Sequence, residues 1–231
     1  MHTERWAIFI FAGFIIFFVL AVVFITFRKN FLLFPAFLLS PTPTPTSGAH
    51  TYKKIVTTNF WVGETADADN AYISNSGSYF DEDWQQHFGG VDAPENRCGF
   101  RPCGFTPKEN PFYFALPYAD LDGKGNLKAS ARFIPWNTGS STIGSNTSLV
   151  KNRWIEIVYK GKACFAQWED VGPLGEDDAD YVFGTTTVPK NTFNQHAGLD
   201  LSPAAWDCLG MKDNDYTEWR FVAEKGVPSG P

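Results

Sequence analysis

The feature that most constrains this chain is an alternating run between Trp154 and Trp168. Trp154–Tyr159 (WIEIVY) alternates, with Ile155 and Ile157 on one face and Glu156 on the other, Lys160-Gly161-Lys162 supplies a turn, and Ala163–Trp168 (ACFAQW) returns as a strand. A period of two puts alternate side chains on opposite faces of a sheet, so this stretch predicts a β-hairpin. The hairpin delivers an acid, Asp170, at the end of its second strand.

Other strands are predicted at Lys53–Trp61 (KKIVTTNFW), Pro111–Tyr118 (PFYFALPY) and Thr217–Val222 (TEWRFV), rich in β-branched or aromatic residues, and at the short Leu199–Leu201. Leu199–Leu201 carries a second acid, Asp200. Directly after it, Ser202 reads as an N-cap and Pro203 as the first helical residue, with the helix stopping at Gly210. A second short helix is expected near Asp81–His87. Short strands, long loops and one or two small helices predict a mainly β fold of barrel type. A loop-rich insertion is expected at about 64–150; its first part holds Tyr72, Tyr79, Phe80, Trp84 and Phe88, enough aromatic surface to be ordered.

The chain begins differently. Trp6–Phe27 is 22 residues without a charge, long enough as a helix to cross a bilayer core and longer than a secretory h-region. Residues 1–30 are therefore expected to be a transmembrane or signal anchor, joined to the domain at 53–231 by an apolar run and a Pro/Thr-rich spacer over 31–52. Arg28 and Lys29 after the span weakly favour a cytoplasmic C-terminal side. The spacer and the cysteines point the other way, to a domain outside the cytoplasm, membrane-anchored or secreted.

Four cysteines, Cys98, Cys103, Cys164 and Cys208, permit three disulfide pairings in an exported domain. Cys98–Cys103 would clip a Gly/Pro loop, and Cys164–Cys208 would join the hairpin to the helix after Asp200. Zinc is the rival, but a C-x4-C followed by two distant single cysteines is poor zinc spacing; four buried thiols are the remaining alternative. No metal or cofactor is expected. Asp120–Asn126 (DLDGKGN) opens like a calcium loop, yet its twelfth position is Ala131, so a surface turn is the better reading. The acidic run at Glu176–Asp180 reads as a solvated loop. A net charge of −6 without clustered Lys or Arg argues against a nucleic-acid partner.

Three stretches carry a family resemblance: Trp168–Pro173 (WEDVGP), Gly198–Gly210 (GLDLSPAAWDCLG) and Glu218–Val222 (EWRFV), with Val56–Trp61 (VTTNFW) a weaker fourth. Their order resembles the six-stranded double-psi β-barrel of the expansin and rare-lipoprotein-A-like group, and distantly the family-45 endoglucanases. The resemblance implies a polysaccharide groove in which Asp200 corresponds to the essential acid, Asp170 to a second acid and Thr58 to a groove threonine. Trp61, Trp168 and Tyr181 are the aromatics expected to bind substrate beside them. The endoglucanases place a base two residues beyond the first-strand aromatic, where this chain has Val62. The implied function is therefore a non-hydrolytic wall-binding or wall-loosening domain acting on peptidoglycan or β-glucan. A glycan-cleaving enzyme with Asp200 or Asp170 as acid is the alternative, and a purely structural domain is a third. A lytic transglycosylase of this group also uses a histidine; His87 and His196 are the candidates, off the family's position.

Overall fold

The computed structural model describes residues 52–139 and 147–230, with the side chains of Tyr52 and Lys53 left aside. The anchor expected at 1–30 and the linker up to residue 51 lie outside the described residues. Among the described residues no helix is long and apolar enough to cross a membrane.

Six strands close into one barrel: β1 (Tyr52–Asn59), β2 (Tyr113–Leu116), β3 (Trp154–Tyr159), β4 (Lys162–Val171), β5 (Leu199–Leu201) and β6 (Asp215–Val222). Around the barrel the order is β1-β5-β2-β4-β3-β6. The pairs β1/β5 and β2/β4 are parallel, and the remaining four are antiparallel. Closure removes every sheet edge, which is how a small β protein avoids templating aggregation. The predicted hairpin forms as β3/β4 in continuous register from Trp154↔Gln167 to Tyr159↔Lys162.

Alternation sorts the side chains. Ile155 and Ile157 of β3, Ala166 and Trp168 of β4, Leu199 and Leu201 of β5, and Phe114 and Leu116 of β2 fill the barrel. A second core lies on the outer face of β2, where Tyr113 and Ala115 pack with Phe60, Val62, Trp84 and Phe88. All four residues of β2 are buried as a result. Because β2 belongs to the barrel, the insertion expected at about 64–150 is two excursions, one on either side of this strand. The first folds back over β2 through α1 (Trp84–Phe88), the helix expected near Asp81–His87. It is fixed by a hydrogen bond from Tyr113 Oη to Asp92 (2.9 Å), by the buried Asp92–Arg97 ion pair, and by the Cys98–Cys103 disulfide.

Two further helices follow, α2 (Ala179–Val182) and α3 (Pro203–Leu209). In α3 the Ser202 hydroxyl accepts the Ala205 N–H (3.2 Å), Pro203 sits at the first turn, and Gly210 ends the helix with φ 73°. Ser202 also receives the Tyr113 N–H on its hydroxyl and donates its own N–H to Tyr113 carbonyl oxygen, so the cap welds α3 to β2. The Cys164–Cys208 disulfide ties the same helix to β4.

Candidate functional site

The register places four residues in one row across adjacent strands. Thr58 of β1 pairs with Asp200 of β5, Asp200 pairs with Ala115 of β2, and Ala115 pairs with Asp170 of β4. Residues paired across a sheet share a face, and adjacent strands lie about 4.8 Å apart, so the two acids stand roughly 9.6 Å apart along the row. Ala115 holds the place between them in the row.

Asp170 reaches this face through an irregularity. In simple alternation it would point the same way as Trp168, into the barrel. However, Phe114 pairs with Trp168 while the next residue, Ala115, pairs with Asp170, leaving Glu169 as an extra residue in β4. One extra residue turns the following side chain to the other face. Asp170 therefore leaves the interior and joins Ala115 and Asp200 outside.

The row forms part of the wall of a cleft of about 620 Å³, lined by Thr58, Trp61, Glu64, Ala115, Asp170, Gly172, Asp200 and the loops at 68–75 and 193–194. Gly172 is part of the fit: a Cβ there would sit 3.1 Å from Asp200 Oδ2, so the bare backbone lets the end of β4 come close to the acid. Asp170 is 7 % exposed and Glu64 8 % exposed, while Asp200 keeps a partly open edge at the cleft floor.

Burial governs the electrostatics. It pushes Asp170 up to about 7, against the opposing pull of the Tyr79 N–H, which donates to Oδ1 at 2.7 Å, and the Val171 N–H. Asp200 is also pushed up to about 7, first by burial and further by the nearby Glu64 and Asp170 charges, with the Thr58 hydroxyl acting against them. Thr58 donates to Asp200 Oδ1 and lies 3.4 Å from Leu199 carbonyl oxygen. It has one hydrogen, so a protonated Asp200 can donate to Thr58 while Thr58 donates to Leu199. The row thus holds two carboxyl groups that exchange protons near neutral pH, the condition general acid chemistry requires.

Thr58, Trp61, Asp170 and Asp200 all line this cleft. Trp168 and Tyr181 do not. Trp168 is fully buried, stacked on Phe221, with its indole N–H on Asp170 carbonyl oxygen (2.8 Å). Tyr181 is fully buried, with its hydroxyl on Gly198 carbonyl oxygen (2.9 Å). Both are core residues that brace the strands bearing the acids, and the expectation that they touch substrate is corrected. Val62 is buried in the second core with its N–H on Tyr113 Oη, a place where an acid would be unpaired. Two residues later the chain turns, and Glu64 enters the cleft, held by Asn75 Nδ2 at 2.7 Å. Burial raises the pKa of Glu64 as well. Neither His87 nor His196 lines the cleft; His87 pairs with Asp81 instead (2.7 Å).

The four cysteines form the pairs Cys98–Cys103 and Cys164–Cys208. Asp120 points inward to the Ser148 hydroxyl and the Leu149 N–H, and Asp122 closes its own turn on Lys124 and Asn126 N–H. In the acidic run, Asp177 pairs with Lys128 and Asp178 accepts the Lys190 N–H. Among the described residues no three acidic, histidine or cysteine side chains are placed to hold a metal ion. Compared with known proteins, the chain matches no family model and no curated protein.

Proposed function

We propose that this chain is a double-psi β-barrel of the expansin and rare-lipoprotein-A-like type that binds cell-wall polysaccharide outside the cytoplasm and loosens it without hydrolysis. The single observation that carries the reading is the row Thr58–Asp200–Ala115–Asp170, which sets both acids on one cleft with Trp61. The closed barrel with parallel pairs β1/β5 and β2/β4 supports the double-psi assignment. Two disulfides support an oxidising, extracytoplasmic setting. The apolar stretch Trp6–Phe27 supports attachment to a membrane.

Peptidoglycan or β-glucan would lie along the cleft, its hydroxyls meeting the Asp200 and Asp170 carboxyls and a sugar face meeting Trp61. A protonated acid that exchanges hydrogen bonds with chain hydroxyls can compete with the contacts holding neighbouring glycans together. Glu64 favours a second reading, glycan cleavage, because it places another carboxyl in the cleft beside an Asp200 that carries a proton near neutral pH.

Incubating the full chain with purified peptidoglycan and with β-glucans, then analysing soluble products by mass spectrometry, separates the readings. Binding without released sugars supports the non-hydrolytic reading. New reducing ends would establish a hydrolase and anhydro-sugar ends a lytic transglycosylase. Absence of binding to every wall polymer would overturn the polysaccharide assignment.

A further inference from the structure

The charges around the cleft are one-sided. Glu64, Asp69, Asp170 and Asp200 line it together with five asparagines, and among the described residues no Lys, Arg or His does. Elsewhere the chain sets its own cations beside sheltered acids: Arg97 on Asp92, Lys151 on Glu169, Arg220 on Glu156 and Lys190 on Asp178. Asp120 is an exception, its oxygens taken by a hydroxyl and an N–H.

Among the described residues, every donor to these cleft acids is neutral. Asp170 has the Tyr79 N–H, Asp200 the Thr58 hydroxyl and Glu64 the Asn75 amide. Asp170 and Glu64 are more than nine-tenths buried and still reach the cavity. Sheltered carboxyl groups either pair with a cation or keep a proton, because desolvated charge is expensive. Asp170 and Asp200, with only neutral donors around them, hold protons up to near neutral pH, and a cation entering the cleft would displace those protons. The acids are also too spread out to share one ion: Asp170 and Asp200 lie two strands apart, and no three acids among the described residues converge on a metal-sized position.

Resting on the polysaccharide reading above, we propose that the missing countercharge comes from the ligand, and that the cleft selects a glycan carrying free amino groups, such as a de-N-acetylated glucosamine polymer. Successive ammonium groups along such a chain would meet successive acids along the row. The asparagines suit its hydroxyls, and Trp61 suits a sugar face. A neutral or fully N-acetylated glycan would meet the acids through its hydroxyls alone and supply no countercharge, and an anionic one would be repelled.

The test is titration calorimetry of the full chain with hexamers of glucosamine, N-acetylglucosamine and glucose, at low and at high salt. A charge-assisted contact is worth about 1.5–3 kcal/mol, so one ammonium–carboxylate contact gives the glucosamine hexamer roughly tenfold or greater preference. That preference should shrink in high salt. It should also fall in Asp200→Asn and in Glu64→Gln, each compared with wild type for unchanged thermal unfolding. The salt series uses wild type alone, so it decides the matter even where a variant fails to fold. Equal affinity for the neutral hexamers would overturn this proposal and leave the glycan cleft standing. Equal affinity for hexalysine would overturn it too, showing that the cleft reads charge and not sugar. Failure of all three sugars to bind would overturn the polysaccharide reading itself.

Discussion

Asp170 and Asp200 stand two strands apart in one register row, on opposite sides of Ala115, and burial pushes both up to about 7. Their separation of roughly 9.6 Å, from two strand spacings, fits a sugar ring between or across them. The pair depends on Glu169 occupying the extra place in β4.

Stability should therefore fall as pH rises. Both aspartates have folded-state pKa values raised from 3.8 to about 7, so the native state holds more protons than the unfolded chain between about pH 4 and 7. Their contribution is fully present below the unfolded value and is lost as pH rises through the folded one. Glu169, raised to about 7, and Asp92, raised to about 6, add the same sign. Denaturant midpoints measured from pH 5 to pH 8 should decrease steadily, and Asp170→Asn should flatten the slope. A midpoint that climbs with pH would contradict the assignment.

Inserting one alanine after Glu169 should do far more damage than replacing Glu169. With Trp168 held on Phe114 and one extra residue kept, the insertion moves Asp170 one place along, opposite Leu116, whose side chain fills the barrel; an unpaired buried charge there costs roughly 3–5 kcal/mol. Glu169→Ala keeps the register and loses its contact with Lys151, at 3.9 Å. Chemical denaturation should separate the two variants by several kcal/mol. Similar stabilities would mean that the irregularity does not set the direction of Asp170.

Two tryptophans should behave in opposite ways. Trp168→Ala empties a fully buried site and should cost about 3–5 kcal/mol. Trp61→Ala, at a half-buried cleft position, should cost about 1 kcal/mol or less in stability while weakening glycan binding. Parallel unfolding and binding measurements on both variants check this; loss of binding in a fully stable Trp168→Ala would contradict the core assignment.

The disulfides should differ in weight. Cys164–Cys208 closes a loop with a sequence separation of 44, against 5 for Cys98–Cys103. On chain-entropy grounds these correspond to about 4 and about 2 kcal/mol. Paired Cys→Ser variants, compared by denaturant unfolding, should rank in that order.

Much of this was legible in the sequence because short-range physics decides it. The β3/β4 hairpin followed from alternation, and the α3 helix from Ser202, Pro203 and Gly210. Asp170 and Asp200 stood at strand positions that a barrel could bring together. The rest depended on long-range packing. An aromatic beside an acid looks the same whether it faces solvent or core, and the extra residue at Glu169 sent Asp170 out while Trp168 stayed in. Glu64 lies two residues beyond Val62, and its entry into the cleft depends on the Trp61–Glu64 turn and the Asn75 amide.

The most direct test of the central claim is co-sedimentation of the full chain with insoluble wall glycan, comparing wild type with Asp200→Asn. We expect wild type to sediment, the variant to bind at least about tenfold more weakly, and the supernatant to hold no released sugars. A correctly folded Asp200→Asn chain that binds as tightly as wild type would contradict the assignment of the glycan to this cleft.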